Sequence, residues 1–267
     1  MIQLKNPMEI FKLLKKTNCR DCNEKTCLAF AASVFQEKKQ LNECPHLDRK
    51  VYEKYGVNIE KPLTIEEEQD KVIDTLKQQV CQIDLIEAAT RIGGTYTNEK
   101  LTLKIFGKDF SINTKATLSS QIHINSWVTI PFLNYILNCE GQKIKEKWIP
   151  FRELKNGQTW QGLFGQQCEK PMKKIADEYP NLFEDLMYIF GGQPVDSHRD
   201  ADIALSLYPF PKIPILICYW QPEDGMPSGL QLFFDATAEE NCGIEGIYAL
   251  GTGLVRMFEK LVLRHGL

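Results

Sequence analysis

Four cysteines in the first 44 residues, spaced Cys19-x2-Cys22-x4-Cys27-x16-Cys44-Pro45, constrain this chain more than any other feature. Thiolates are soft ligands, which leaves zinc or an iron–sulfur cluster. Structural zinc sites commonly arrange their ligands as two close pairs. Here three ligands come from one short loop and the fourth from a distant point in the chain, the three-plus-one layout of iron–sulfur proteins. A cubane needs one ligand at each of four corners, and a tight loop can supply three. Proline after the last cysteine removes a backbone donor and fixes the approach of that ligand. The spacing predicts a [4Fe-4S] cluster on Cys19, Cys22, Cys27 and Cys44, with zinc as the alternative metal. Such a cluster either carries electrons or simply holds together a module of about 50 residues whose core is too small to be secure alone.

The remaining cysteines, Cys81, Cys139, Cys168, Cys218 and Cys242, show no ligand spacing. An odd total of nine argues against a disulfide framework. A net charge of −3 disfavours a general nucleic-acid binder. No apolar run approaches the roughly 20 residues of a membrane span. Met1 to Lys16 carries scattered charge and no small-residue cleavage site, so a cytoplasmic location is expected.

Asn6-Pro7-x-Glu9 reads as a helix start, with Asn6 as cap and Pro7 in the first turn. A second helix is expected from Cys27 to about Lys39, and a third opening at Cys44-Pro45 and stopping near Gly56. Val57 to Leu63 reads as a linker. Thr64-x-x-Glu67 is a capping box for the next helix, and a further helix ends at Gly93-Gly94. Leu101–Ile105 and Phe110–Asn113 alternate as strands. Trp127–Leu137 and Glu169–Phe190 look helical, the latter broken at Pro180. Ile203–Leu207, Ile213–Trp220 and Leu230–Phe234 read as strands, the middle one apolar enough to be central and buried on both faces. Gly243–His265 reads as a closing amphipathic helix. The fold class is therefore α+β: a small helical iron–sulfur module over 1–58, then a mixed α+β domain with an antiparallel-rich sheet over 64–267.

Asn18-Cys-Arg-Asp-Cys-Asn-Glu-Lys-Thr-Cys-Leu-Ala-Phe-Ala31 resembles the N-terminal cluster domain of the corrinoid iron–sulfur protein large subunit. It is also similar to modules in an electron-transport subunit of Rnf complexes. The usual form has glycine after the first and second cysteines and proline before Thr-Cys; Arg20, Asn23 and Lys25 stand there instead. Pro211–Trp220, Glu223–Ser228 and Leu232–Asp235 resemble a C-terminal domain that follows such modules in anaerobes and has no established activity. The resemblance implies an anaerobic setting linked to corrinoid or C1 chemistry and no more; a redox use of the cluster would add a protein redox partner, and a corrinoid or corrinoid protein for the second domain to dock on or bind.

Beyond the cysteines, the segment Asp196-Ser-His198-Arg199-Asp200-Ala-Asp202 places a titratable histidine among carboxylates. With Glu223, Asp224 and Asp235 it could line one end of the sheet, as a ligand pocket or as ordinary polar turns. His198 and Asp235 are the candidates for catalysis. Two functions follow: a redox accessory protein whose cluster passes electrons, its rim made basic by Arg20, Lys25, Lys38 and Lys39, or an enzyme whose chemistry lies around His198 and Asp235 while the cluster is structural.

Overall fold

The computed structural model describes residues 4, 6–36, 38–55, 64–179, 181–196 and 198–265. The chain divides into two compact units, Met1–Gln69 and Asp70–Leu267. The expected linker, Val57–Leu63, lies outside the described residues.

In the first unit, α1 (Pro7–Leu13) starts as its sequence requires. The Asn6 side chain accepts the Glu9 N–H at 3.0 Å and Pro7 occupies the first turn. α2 (Cys27–Phe35) is capped by Thr26, whose Oγ1 accepts from Ala29 N. It stops at Phe35, earlier than Lys39. α1 packs against α2, and Ile10, Leu14, Phe30, Ala31, Val34 and Phe35 are buried together. α3 (Arg49–Tyr55) does not open at Cys44-Pro45. A 3-10 turn, Leu41–Glu43, precedes Cys44, which is held extended at φ −84°, ψ 109°. Cysteine carries no capping oxygen, so the helix waits for Asp48, whose Oδ1 accepts from Lys50 N.

α4 (Ile65–Val80) carries the reciprocal Thr64–Glu67 capping box and spans the division between the units. In the second unit, α5 (Leu85–Ile92) begins at Asp84 and ends at Gly93, left-handed at φ 79°. β1 (Thr95–Thr97), β2 (Lys100–Ile105), β3 (Lys108–Asn113) and β4 (Leu118–Ser120) form an antiparallel meander. α6 (Ser126–Asn138) follows. Next come β5 (Trp148–Pro150) and α7 (Gly157–Phe164), which runs through a π-helical turn into α8 (Lys170–Glu178). α9 (Leu182–Phe190) resumes beyond Pro180, itself outside the described residues.

β6 (Gln193–Pro194), β7 (Ile203–Phe210), β8 (Ile213–Trp220) and β9 (Gly229–Asp235) join β5 in a second antiparallel sheet of order β5-β9-β8-β7-β6. β8 is central, as its unbroken apolar run requires. Ile215 and Ile217 face the main core, while Leu216 and Cys218 face a smaller apolar cluster with Ala204 and Phe233 on the other side. α10 (Ala238–His265) closes the chain but is broken at Gly243, φ 67° and ψ 155°. Gly251 allows close packing: a Cβ there would stand 2.8 Å from the Phe164 ring and 2.9 Å from Cys168 Sγ. The fold is thus mixed α+β with antiparallel sheets, as the element pattern indicated.

Candidate metal centre

Cys19, Cys22, Cys27 and Cys44 line one pocket of the first unit, with Leu14, Lys15, Thr17, Arg20, Phe30 and His46 around it. Local structure explains the convergence. Cys27 sits at the first residue of α2, where the positive end of the helix dipole favours negative charge. Asn18 clamps it, with Asn18 Oδ1 accepting from Cys27 N at 2.8 Å and Asn18 N donating to Cys27 Sγ at 3.3 Å. Lys39 Nζ donates to the Cys22 carbonyl and pairs with Glu43 Oε2 at 3.6 Å. Those contacts tie the three-cysteine loop to the turn that delivers Cys44.

Cys22 and Cys27 are buried, Cys44 is half-buried and Cys19 is exposed. Burial pushes the Cys44 thiol up, and the negative charge of Cys22, Cys19 and Cys27 pushes it further, against a backbone N–H at His46 that pulls it down. Four soft thiol donors that share one small pocket form a donor set suited to a metal centre. This set fits an iron–sulfur cluster, because donors, loop and helix start all face the same space.

The loop explains the glycines of the usual motif. Arg20 and Asn23 both stand in the left-handed region, at φ 69° and 60°. Asparagine tolerates that region, whereas arginine carries a cost of roughly 1–2 kcal/mol. Arg20→Gly should therefore raise the stability of the metal-loaded first unit by up to about 1 kcal/mol after the added chain entropy of glycine. Slower iron loss on warming than in the unaltered protein is the expected reading; equal or faster loss would remove the strain argument.

The basic rim is narrower than the sequence suggested. Arg20, Lys25 and Lys38 are exposed, but Lys39 is only 18% exposed and holds the loop carbonyl. Sequence reasoning passed over Asn18, Asp21 and His46 as parts of the site. His46 Nε2 lies 2.6 Å from Asp21 Oδ2. Asp21 is held below the usual carboxylate range, first by His46 and then by a hydrogen bond with Cys19. Proximity in sequence to Cys19 and Cys44 was the available signal.

In the second unit, His198 is half-buried, its ring edge-on to Phe233 at 4.7 Å, beside the Arg199 guanidinium 4.9 Å over the same ring. Its Nε2 is buried with no hydrogen-bond partner among the described residues. Burial and then the Arg199 charge hold its pKa below the ordinary value. Asp235 is fully buried and committed elsewhere, to Thr237 and to Lys145 N. No hydrogen bond joins His198 to Asp235 among the described residues. Asp202 accepts from Gln221 N at 2.7 Å, and Glu223 and Asp224 lie in a tight turn. A separate cleft of about 800 Å3 opens between α6 and the break in α10, lined by Asn134, Tyr135, Glu140, Lys155, Cys242 and Gly243 among others. Neither His198 nor Asp235 lines it. Cys168 and Cys218 are buried, which pushes their thiols up to about 12 and about 11. They are small core residues.

A thiol-rich helical module ahead of an α+β domain defines a class of two-part protein, and comparison with known proteins agrees. Residues 14–46 match the family model described as "Putative Fe-S cluster". Residues 84–257 match the model described as "Domain of unknown function (DUF3786)", and the chain belongs to that family. Curated relatives include proteins named acetyl-CoA decarbonylase/synthase complex subunit gamma. The one from Methanosarcina acetivorans is 29% identical over 277 residues, covering 96% of this chain and 54% of the relative. The one from Methanocaldococcus jannaschii is 40% identical over 194 residues, covering 70% of this chain and 37% of the relative. The one from Methanothermobacter thermautotrophicus is 35% identical over 69 residues, 25% of this chain and 15% of the relative. The chain thus spans about half the length of these relatives or less. No solved structure matches it. Among the described residues, no helix is long and apolar enough to cross a membrane.

Proposed function

We propose that this protein holds a [4Fe-4S] cluster on Cys19, Cys22, Cys27 and Cys44, and passes single electrons to a protein partner in anaerobic corrinoid or C1 metabolism in the cytoplasm. The observation that carries this reading is the convergence of four thiols on one pocket whose Cys19 edge is exposed. The cluster, when bound, supplies one-electron transfer. The chain's residues do the rest. Cys22 and Cys27 anchor from buried positions, the Asn18 N–H supports the Cys27 thiolate, and Leu14 and Phe30 close the inner wall to water. Arg20 and Lys25 favour an acidic partner, an attraction that salt weakens.

The partner's kind is suggested by the relatives, which are named as subunits of an acetyl-CoA decarbonylase/synthase complex. The module is taken as residues 1–58 and the second domain as 64–267. The cleft of about 800 Å3 favours a second reading, in which the second domain binds a small molecule and the cluster is structural. Protein purified without oxygen should contain about four irons and about four acid-labile sulfides, and accept one electron from a low-potential donor. One zinc with no sulfide would end the iron–sulfur reading. An iron–sulfur centre that is silent across the accessible potentials would leave only the structural role.

A further inference from the structure

The four corners of the site are unequal. Cys22 and Cys27 are buried, and Cys27 is clamped by two hydrogen bonds with Asn18, which donates one and accepts the other. Cys19 is exposed, and an aspartate and a histidine stand beside it. The ligand atoms of Cys19, Asp21 and His46 all lie within 4.8 Å of one another. His46 also lines the same pocket as the four thiols. An imidazole nitrogen is a good ligand for iron, and a carboxylate hydrogen-bonded to that ring is the usual device for orienting it. Asp21 stands in that relation to His46, at 2.6 Å.

We infer that His46 is a reserve ligand for the Cys19 corner of the cluster, oriented by Asp21, so that this one corner can exchange thiolate for imidazole while the other three stay fixed. The inference rests on the [4Fe-4S] reading above. In the exchange, the bond from iron to Cys19 Sγ breaks and a bond from iron to a His46 nitrogen forms. The thiolate leaves with its electron pair and takes a proton from water, and no iron changes oxidation state. A neutral donor replaces an anionic one. The cluster then carries one negative charge less and is easier to reduce, as in iron–sulfur centres where histidine replaces cysteine. A single cluster would so offer two potentials, selected by which donor holds its exposed corner.

The test compares single variants reconstituted without oxygen. Unaltered protein must first hold about four irons and four sulfides, which checks the underlying reading separately. Cys19→Ala should then retain about four irons, show a higher midpoint potential, and gain a nitrogen coupling in pulsed EPR that disappears when histidine is labelled with a different nitrogen isotope. Cys22→Ala and Cys27→Ala should fall to three irons or fewer. Cys19→Ala combined with His46→Ala should lose the fourth iron, and Cys19→Ala with Asp21→Ala should hold it more weakly. The idea is overturned if Cys19→Ala loses iron while Cys19→Ser keeps it, because the pair then does not reach the metal. Loss from both variants also overturns it, since that corner would be as fixed as the others. So does a full iron complement in the Cys19→Ala, His46→Ala double variant.

Discussion

If the proposed cluster holds the first unit together, stripping its iron with a chelator in the absence of oxygen should unfold α1 to α3 and leave α5 to α10 folded. The core of the first unit explains the size of the effect. Among the described residues it consists of Leu4, Ile10, Leu14, Cys22, Cys27, Phe30, Ala31, Val34, Phe35 and Leu41, two of which are proposed cluster ligands and one an alanine. A module of this size has at most a few kcal/mol of stability from its apolar core. The four bonds of the proposed cluster would tie the Cys19–Cys27 loop to Cys44. A cross-link closing even a 15-residue loop is worth roughly 3 kcal/mol on chain entropy alone. Metal removal also leaves four thiols without their shared partner in a pocket walled by Leu14 and Phe30, where burial already pushes the Cys44 thiol up. The second unit has its own large core and no share in those bonds. Amide exchange should therefore show protection lost across α1, α2 and α3 and retained across α5 to α10. Persistent protection of α1 and α2 in iron-free protein would show that packing, not the metal, holds the module.

Features set by neighbours in sequence are legible without the structure. Asn6 and Pro7 announce α1, Thr64 and Glu67 announce α4, and Gly93 ends α5, because each cap is a contact within a few residues. The apolar run at β8 announces a central strand because nothing along it could face water. What joins distant residues leaves no such mark. His46 and Asp21 meet across 25 positions, and Lys145 reaches Asp235 across 90. The left-handed backbone at Arg20 has no signature in an arginine; only the glycine of the usual motif hints at it. β5, at three residues, and α7 escape a reading by periodicity because their apolar positions are too few to set a period. The third helix starts later than Cys44-Pro45 suggests. Proline marks a helix start only when the residue before it is free to cap, and Cys44 is held by its place in the pocket.

The sequence marks Asp235 as a candidate catalytic carboxylate, and its surroundings predict a different consequence of losing it: Asp235→Ala should destabilise the second unit by about 4 kcal/mol. The side chain is fully buried at the end of β9, where the chain turns into α10. Its Oδ1 accepts from Thr237 N at 3.0 Å and from Thr237 Oγ1 at 2.6 Å. Its Oδ2 accepts from Lys145 N at 3.0 Å, which fixes the segment leading into β5. Thr237 is itself fully buried, so water does not replace the lost acceptor. Each buried donor left unpaired costs about 1–3 kcal/mol, and the two on Thr237 are left at once, while the N–H of the exposed Lys145 can turn to water. For a unit of this length each kcal/mol lowers the melting temperature by about 2–4 °C, so a fall of roughly 8–16 °C is expected. Asp235→Asn keeps one oxygen for Thr237 but turns an amide N–H2 towards the Lys145 N–H, and should fall between the two. His198→Ala removes an aromatic edge contact and no hydrogen bond from Nε2, so it should cost much less. Thermal unfolding of the three variants, followed by the circular dichroism of the second unit, measures the order. If Asp235→Ala melts with the unaltered protein, the carboxylate is not what joins β9 to the segment before β5, and a role for it in chemistry returns.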